Sequence, residues 1–349
     1  MKSFLRAGLV ALIAAASLGQ VSGAKLHGDA ERQRIIAEVN SNPSAGWRAG
    51  MNSRWAGQPI HAAQRQLGSL DVTDPNHVRL PVQVHTGFDM AALPDEFDSR
   101  VAWPYCKSIQ EVRDQSDCGS CWSFGAVEAA SDRICIATNG TNQAHLSAED
   151  LLSCCTSCGF GCNGGYPSAA WSYLKNTGIV TGGNYGDKSW CWSYSMPNCD
   201  HHVVGKYEPC GQHDYNTPAC KRKCDSDSTY QTPYDKDHYK FASAYSVATD
   251  PVQIQKEIMT YGPVEASFTV YADFMQYKGG VYRHITGSAL GGHAIKLLGW
   301  GVDAATKLPY WLAANSWNED WGEEGFFRIL RGNNECGIER GIVAGRYLA

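Results

Sequence analysis

Gln115-Ser116-Asp117-Cys118-Gly119-Ser120-Cys121-Trp122-Ser123-Phe124 is the stretch on which both fold and chemistry turn. From it onward Phe124, Val127, Ala130 and Ile134 step by three, three and four residues, the period of a helix. Cys121 then stands at the helix start, where the positive end of the helix dipole favours an anion and therefore a thiolate. A thiolate is a competent nucleophile, but it needs a partner base. Cys118-x-x-Cys121, followed by Cys154, Cys155, Cys158 and Cys162, also permits a redox or zinc pair, although a structural zinc site needs four ligands.

Downstream of this stretch the sequence supplies a base and its support. Gly291-Gly292-His293-Ala294 leads into an apolar strand, which would hold an imidazole rigidly at the strand start. Asn315-Ser316-Trp317 follows a strand-like Tyr310–Ala314. In this constellation Cys121 attacks a carbonyl carbon, and His293 pairs with it as imidazolium and protonates the leaving amine. Asn315 orients the imidazole. Gln115, six residues before the cysteine, offers a side-chain amide that with the backbone N–H of Cys121 forms an oxyanion hole. Trp317 shields the Asn–His hydrogen bond from water.

Around these motifs the period changes along the chain. A second helix is predicted over Ser147–Ser153, with Ser147 as N-cap and Asp150 completing a variant capping box. Val264, Ala266, Phe268 and Val270 alternate as in a strand, and His293–Trp300, Tyr310–Ala314 and Phe326–Leu330 read as further strands. A helical first half and a strand-rich second half predict an α+β protein of two lobes. Between Cys191 and Cys224 the chain holds five Cys and three Pro with little periodicity, which predicts a disulfide-pinned loop insert. No internal repeat is present.

The N-terminal third differs from the rest. Lys2 and Arg6 precede an uncharged apolar run, Ala7–Gly19, and Ser22-Gly23-Ala24 offers small residues for cleavage, the pattern of a secretory signal peptide over residues 1–24. Residues 25–92 carry a net charge of +1 against −8 for residues 93–349, which fits a propeptide lying on an acidic body, although charge alone equally allows two unrelated sets of loops. Ala30–Val39 reads as a short helix broken by Asn42-Pro43-Ser44-Ala45-Gly46. Trp47 and Trp55 lie in a segment too small to bury them and are expected to dock on the body. All 14 Cys fall between Cys106 and Cys336, which suggests an oxidising compartment. Asn139-Gly140-Thr141 is a glycosylation sequon. A hydrophobic fraction of 43% excludes a disordered chain, and a net charge of −5 with no long basic run argues against a dedicated nucleic-acid binder.

Cys118-Gly119-Ser120-Cys121-Trp122 meets the local signature of papain-like cysteine peptidases, whose His and Asn lie far downstream. Residues 93–345 resemble the cathepsin B-type members of that family. The resemblance rests on Asp114-Gln115, Cys162-Asn163-Gly164-Gly165-Tyr166-Pro167, His201-His202, Gly292-His293-Ala294, Asn315-Ser316-Trp317 and Cys336-Gly337-Ile338-Glu339, with Trp47-Arg48-Ala49-Gly50 in the propeptide. It implies a helical left lobe and a β-barrel-like right lobe with the active-site cleft between them. His293 follows Cys121 by 172 residues, against about 130–150 for ordinary family members. The Cys-rich insert, about 191–224, accounts for the excess and would be an occluding loop closing one end of the cleft.

The resemblance implies more that is specific to this chain. Gly164 and Gly165 would pair with substrate backbone. His201 and His202 would hold a substrate C-terminal carboxylate, giving release of C-terminal dipeptides beside endopeptidase activity. Asp114 would pin the loop through His201. Asp320 would pin it through a loop Arg, but Tyr207 stands there with Lys206 beside it, so a looser loop is expected. Gly341 replaces the Glu that in relatives accepts Arg at P2, so an apolar or aromatic P2 is expected. The implied bridges are Cys106–Cys135, Cys118–Cys162, Cys154–Cys220, Cys155–Cys158, Cys191–Cys224 and Cys199–Cys210. The expected partners are peptide and protein substrates, the chain's own propeptide and cystatin-type inhibitors, for a monomer without cofactor, metal or membrane span. The destination is the secretory pathway, to a lysosome-like compartment or the exterior. A catalytically dead binding module and a zinc or disulfide-exchange protein are the readings from other classes.

Overall fold

The computed structural model describes residues 28–52, 55–70, 73–74, 77–89, 93–199, 208 and 215–349. At the N-terminus, residues 28–41 form helix α1, which contains the predicted Ala30–Val39 stretch. Trp47–Ala49 forms strand β1 and Val82–Gln83 strand β2. The extended start of the body gives β3, Phe97–Asp98.

Helix α2 runs over Cys121–Ala137, and it is buried on every side from Cys121 to Cys135. Its polar residues therefore need partners inside the protein, and most have them. Ser123 donates to the Ala148 carbonyl, Asp132 pairs with Lys296 at 3.1 Å, and the Arg133 guanidinium reaches the carbonyls of Gly262, Pro263 and Gly345. Helix α3, Ala148–Cys154, starts where the capping residues predict, the Ser147 hydroxyl accepting from the Asp150 N–H at 3.0 Å. Helix α4, Pro167–Asn176, completes the helical lobe around Trp122, Phe124, Leu151 and Trp171.

The second half supplies β4 (Tyr245–Val247), helix α5 (Pro251–Tyr261), β5 (Val264–Tyr271), β6 (Tyr277–Tyr282), β7 (Ala289–Val302), β8 (Pro309–Ala314), β9 (Phe326–Leu330) and β10 (Ile342–Ala344). Among the described residues, these strands join one ten-stranded sheet in the order β1-β6-β9-β8-β7-β5-β10-β4-β2, with β3 also on β7. The expected α+β fold of a helical lobe and a strand-rich lobe is present; its sheet is open, so the lobe is barrel-like only in a loose sense. Its two outermost strands, β1 and β2, both come from the N-terminal segment.

That segment is therefore built into the body. Trp47 packs on Tyr277 and Tyr282, with ring centroids 6.0 and 5.1 Å away, and donates its indole N–H to the Arg283 carbonyl. Ile35, Val39 and Trp55 join the same core as the strands of the second half. At the opposite edge β2 runs parallel to β4, and His85 Nε2 hydrogen-bonds Glu257 Oε2 of α5 at 2.8 Å. Both predicted dockings of Trp47 and Trp55 are thus present as burial.

Candidate active site

Cys121 is the first residue of α2 and is fully buried with a free thiol. Cys118 is bridged to Cys162, so it cannot pair with Cys121 in a redox or zinc site. The Cys121 sulfur accepts a hydrogen bond from the Gly68 N–H at 3.2 Å, and the backbone N–H groups of Ala294 and Trp122 also favour its anion. Trp122 belongs to the helical lobe and Ala294 to β7, next to His293. The sulfur thus sits where the two lobes meet.

His293 is fully buried on β7, and its Nε2 lies 2.8 Å from Asn315 Oδ1, at the end of β8. That oxygen also accepts from the Ser316 N–H at 2.9 Å, which identifies it as an acceptor. Nε2 must therefore carry the proton, and Nδ1 is the nitrogen with a lone pair to offer. Nδ1 has no hydrogen-bond partner among the described residues. The Trp317 ring lies 4.7 Å from the imidazole and is itself buried, so the Asn–His contact is screened from water.

Gln115 comes to the same place by two bonds to Ser316: its backbone N–H donates to the Ser316 carbonyl at 2.9 Å, and its side-chain oxygen accepts from the Ser316 hydroxyl at 2.7 Å. This fixes the amide so that Nε2 points as a donor, here to the carbonyls of Cys118 (2.7 Å) and Gln66 (2.9 Å). Gln66 belongs to the N-terminal segment, whose residues 66–70 cross the cleft. Gly68 accepts from the Gly165 N–H at 2.8 Å, Leu70 donates to the Gly165 carbonyl at 3.0 Å, and Ser69 donates to the Gly292 carbonyl at 3.0 Å. The strip thus bonds to the backbone of both lobes, as an extended peptide would. A Cβ at Gly164 would lie 3.0 Å from the Gly68 carbonyl oxygen of the strip, and one at Gly165 would lie 2.6 Å from the Trp122 ring. Gly164 sits at φ +109°, a conformation that favours glycine.

Burial under the strip sets the charge state of the pair. It pushes the Cys121 thiol up to about 11, against the three N–H groups that favour the anion. It pushes the His293 imidazole down to about 4, against the opposing hydrogen bond to Asn315. Both shifts favour the uncharged pair, a thiol beside a neutral imidazole, while the cleft is covered.

The chain is similar to known proteins in sequence and in structure. Residues 93–346 match the model of the papain family cysteine proteases. The chain is 49% identical over 312 residues to a cathepsin B-like cysteine proteinase of Schistosoma japonicum, covering 89% of each chain. It is 47% identical to cathepsin B-like cysteine proteinase 4 of Caenorhabditis elegans, covering 99% of both. The structure of procathepsin B S9 from Trypanosoma congolense matches it with a TM-score of 0.74 at 34% identity, over 90% of this chain and 97% of that one. The chain belongs to the papain family of cysteine proteases.

Other residues of this papain-family chain singled out from the sequence are placed as follows. Besides Cys118–Cys162, bridges join Cys106 to Cys135, Cys154 to Cys220, Cys155 to Cys158 and Cys191 to Cys224. Cys199 is disulfide-bonded, and Cys210, its implied partner, lies outside the described residues, as do His201, His202, Lys206 and Tyr207 and the signal-peptide reading of 1–24. Asp114 is buried and accepts from the N–H of Ser116 and the amide of Asn318. Asp320 is exposed on the loop after Asn318. Asn139 is exposed at a turn just after α2, with φ +48°. Gly341 lines a cavity beside the cleft, where a Cβ would lie 2.8 Å from the Ser267 carbonyl oxygen.

Sequence reasoning missed Gln66, Gly68 and Ser69. Gly68 is 53 residues from Cys121 in the chain. No periodicity or motif marks such a contact, and an isolated glycine before Ser69-Leu70 reads only as a weak turn signal.

Proposed function

We propose that Cys121 and His293 are the nucleophile and acid–base group of this cysteine peptidase, with Asn315 orienting the imidazole and Gln115 donating to the oxyanion. The observation that carries the reading is the free Cys121 sulfur at the start of α2, with a buried His293 whose Nε2 is held by Asn315 and whose Nδ1 is left open among the described residues. With the cleft open to water the burial penalties on both charges fall, and the thiol proton passes to Nδ1. The thiolate attacks the substrate carbonyl carbon, and the negative oxygen is held by Gln115 Nε2 and the Cys121 N–H. The imidazolium protonates the leaving amine, leaving an acyl-enzyme. Water, deprotonated by the imidazole, then releases the acid and restores the thiol.

Residues 25–92 act as an inhibitory propeptide, after a signal peptide over 1–24, and residues 93–349 as the peptidase. The strip at 66–70 supports this. It places the Gln66 carbonyl on the same Gln115 donor that the oxyanion needs and its backbone on Gly165 and Gly292. The chain travels the secretory pathway to an acidic or extracellular site and works as a monomer on peptides and proteins. His201 and His202 give dipeptide release from C-termini, and the weakened Asp320 pin leaves endopeptidase activity beside it. The Gly341 cavity takes an apolar or aromatic P2 in preference to Arg.

An epoxide that traps thiolates tests the core of this. After acid shift of the purified chain and loss of the N-terminal segment, it is expected to modify Cys121 alone and abolish peptide hydrolysis. His293→Ala is expected to lower kcat by at least about 10³-fold. Labelling elsewhere, or hydrolysis that survives labelling, overturns the assignment.

A further inference from the structure

The cavity beside the cleft has a volume of about 180 Å³ and opens next to Ser69 and Gly292, where the strip crosses between the lobes. Ser69 and Leu70 of the strip line the cavity, so a peptide lying along the same path passes its mouth. One wall is the backbone of Gly337 and Gly341. None of its lining side chains is acidic, and one is cationic: Arg340, whose guanidinium packs against Gly337, 3.1 Å from where a Cβ would stand. Arg340 is exposed, and its guanidinium makes no hydrogen bond or ion pair among the described residues. Directly against Gly341 lies Ser267, whose hydroxyl is 2.9 Å from the Ser69 hydroxyl of the strip. When the strip leaves, that hydroxyl loses its partner.

We infer that Arg340 and Ser267 together form a carboxylate-accepting site in this cavity, so that the peptidase takes glutamate at P2. The inference rests on the peptidase reading above and adds glutamate to the apolar and aromatic residues that its P2 site takes, leaving arginine disfavoured. A glutamate stem lies against the glycine wall, which offers no side chain to displace it. Its carboxylate receives the guanidinium and the freed hydroxyl, and a charge-assisted hydrogen bond forms where a solvated guanidinium stood. An arginine at P2 meets a like charge there with no acid to offset it. The acid that relatives would carry at the position of Gly341 could not be added without moving β5, because the Ser267 backbone and Cβ already lie within 3 Å of a Cβ at that position.

The test compares two fluorogenic dipeptide substrates, Glu-Arg and Gln-Arg, which differ at P2 in charge and hardly in shape. The enzyme is the acid-activated full chain at pH 6, and Phe-Arg is the control. A partly solvated ion pair predicts kcat/KM for Glu-Arg about two- to fivefold above Gln-Arg, carried by KM. Raising salt to 0.5 M is expected to bring the ratio toward one. Arg340→Gln is expected to bring it to one, and Arg340→Lys to keep it above one. A ratio of one or below in the unmodified enzyme, or a ratio that survives Arg340→Gln, overturns the inference while Phe-Arg is still cleaved. Failure to cleave Phe-Arg overturns the peptidase reading, and this one with it.

Discussion

The N-terminal segment grips the body in two physically different ways. Residues 28–63 are an apolar anchor: Ile35, Val39, Trp47 and Trp55 are buried in the same core as Tyr277, Tyr282 and Phe327. Residues 66–70 are a strip held by backbone hydrogen bonds, threaded through the cleft with a glycine beside the Cys121 sulfur. Burial scales with apolar area and supplies most of the holding strength. Backbone bonding in a groove supplies register, and register is what places a carbonyl on Gln115 and an N–H on Cys121. Strength and blockade therefore reside in different residues, and each can be removed while the other is kept.

Trp47→Ala attacks the anchor and is expected to have the largest effect. Truncating a buried tryptophan costs about 3–5 kcal/mol. Added in trans, the 25–92 segment carrying this change should inhibit the acid-activated peptidase at least about 100-fold more weakly than the unchanged segment. An inhibition titration measures it, and a change under tenfold would show that the anchor does not hold the strip in place.

Gly68→Ala attacks the strip alone. A Cβ at Gly68 would stand 1.8 Å from the Gly119 carbonyl oxygen, so the backbone there has to lift. The anchor is untouched. In the full chain, labelling of Cys121 by a small thiol reagent at neutral pH is expected to quicken by tenfold or more, with little change in melting temperature. Protection equal to that of the unchanged chain would mean that the covering of Cys121 does not depend on this close approach.

The contrast between anchor and strip also separates what the sequence reveals from what it does not. Cys121, His293 and Asn315 are legible because each sits beside a local signal: a helix start, an apolar strand, the end of another. Yet β7 begins at Ala289, four residues before His293, because the glycines that read as its lead-in are themselves paired with β5. The anchoring role of Trp47 and Trp55 is legible because large aromatics in a short segment must find a partner surface. Helix α2 is legible by its period, although it is buried all round and its polar residues gave no hint of where they bond. The strip is not legible, since backbone-to-backbone contact leaves no mark on side-chain pattern. Nor is the open sheet, whose edges are closed by β1 and β2, strands of three and two residues. Segments so short carry no alternation to read.

pH is expected to act on the body rather than on the anchor. Beneath the cleft, Glu128 of α2 is fully buried, and burial outweighs the attraction of Lys296 and Arg113 to push its carboxyl up to about 7 from 4.5. Glu265 of β5 is raised too, chiefly by burial, against the indole N–H of Trp171 that it accepts at 2.8 Å. A carboxyl that holds its proton more tightly when folded stabilises the fold below its unfolded value and loses that contribution as pH rises through the folded one. The melting temperature should therefore fall by roughly several degrees between pH 5 and pH 7.5. Measured in a Cys121→Ser chain, which cannot cut itself, Glu128→Gln should flatten that fall. The penalty of Trp47→Ala, an apolar loss, should be equal at the two pH values. A melting temperature that rises over the interval would contradict the assignment.

The smallest effect expected compares two glycines. Gly57 lies in the anchor with φ +70°, and nothing stands within 4 Å of where its Cβ would be. Its N–H donates to the Asp29 carboxylate, a bond that alanine keeps. Gly57→Ala therefore meets only the cost of holding an L-residue in the left-handed region, roughly 1–2 kcal/mol. At Gly68 the obstacle is a carbonyl oxygen rather than a dihedral. The same substitution at the two sites should accordingly separate binding from blockade. Gly57→Ala weakens inhibition in trans by roughly tenfold and leaves Cys121 in the full chain as protected as before, because the anchor has strength to spare and the strip keeps its register. Faster labelling of Cys121 in Gly57→Ala would show instead that register is transmitted from the anchor, so that the two grips are one.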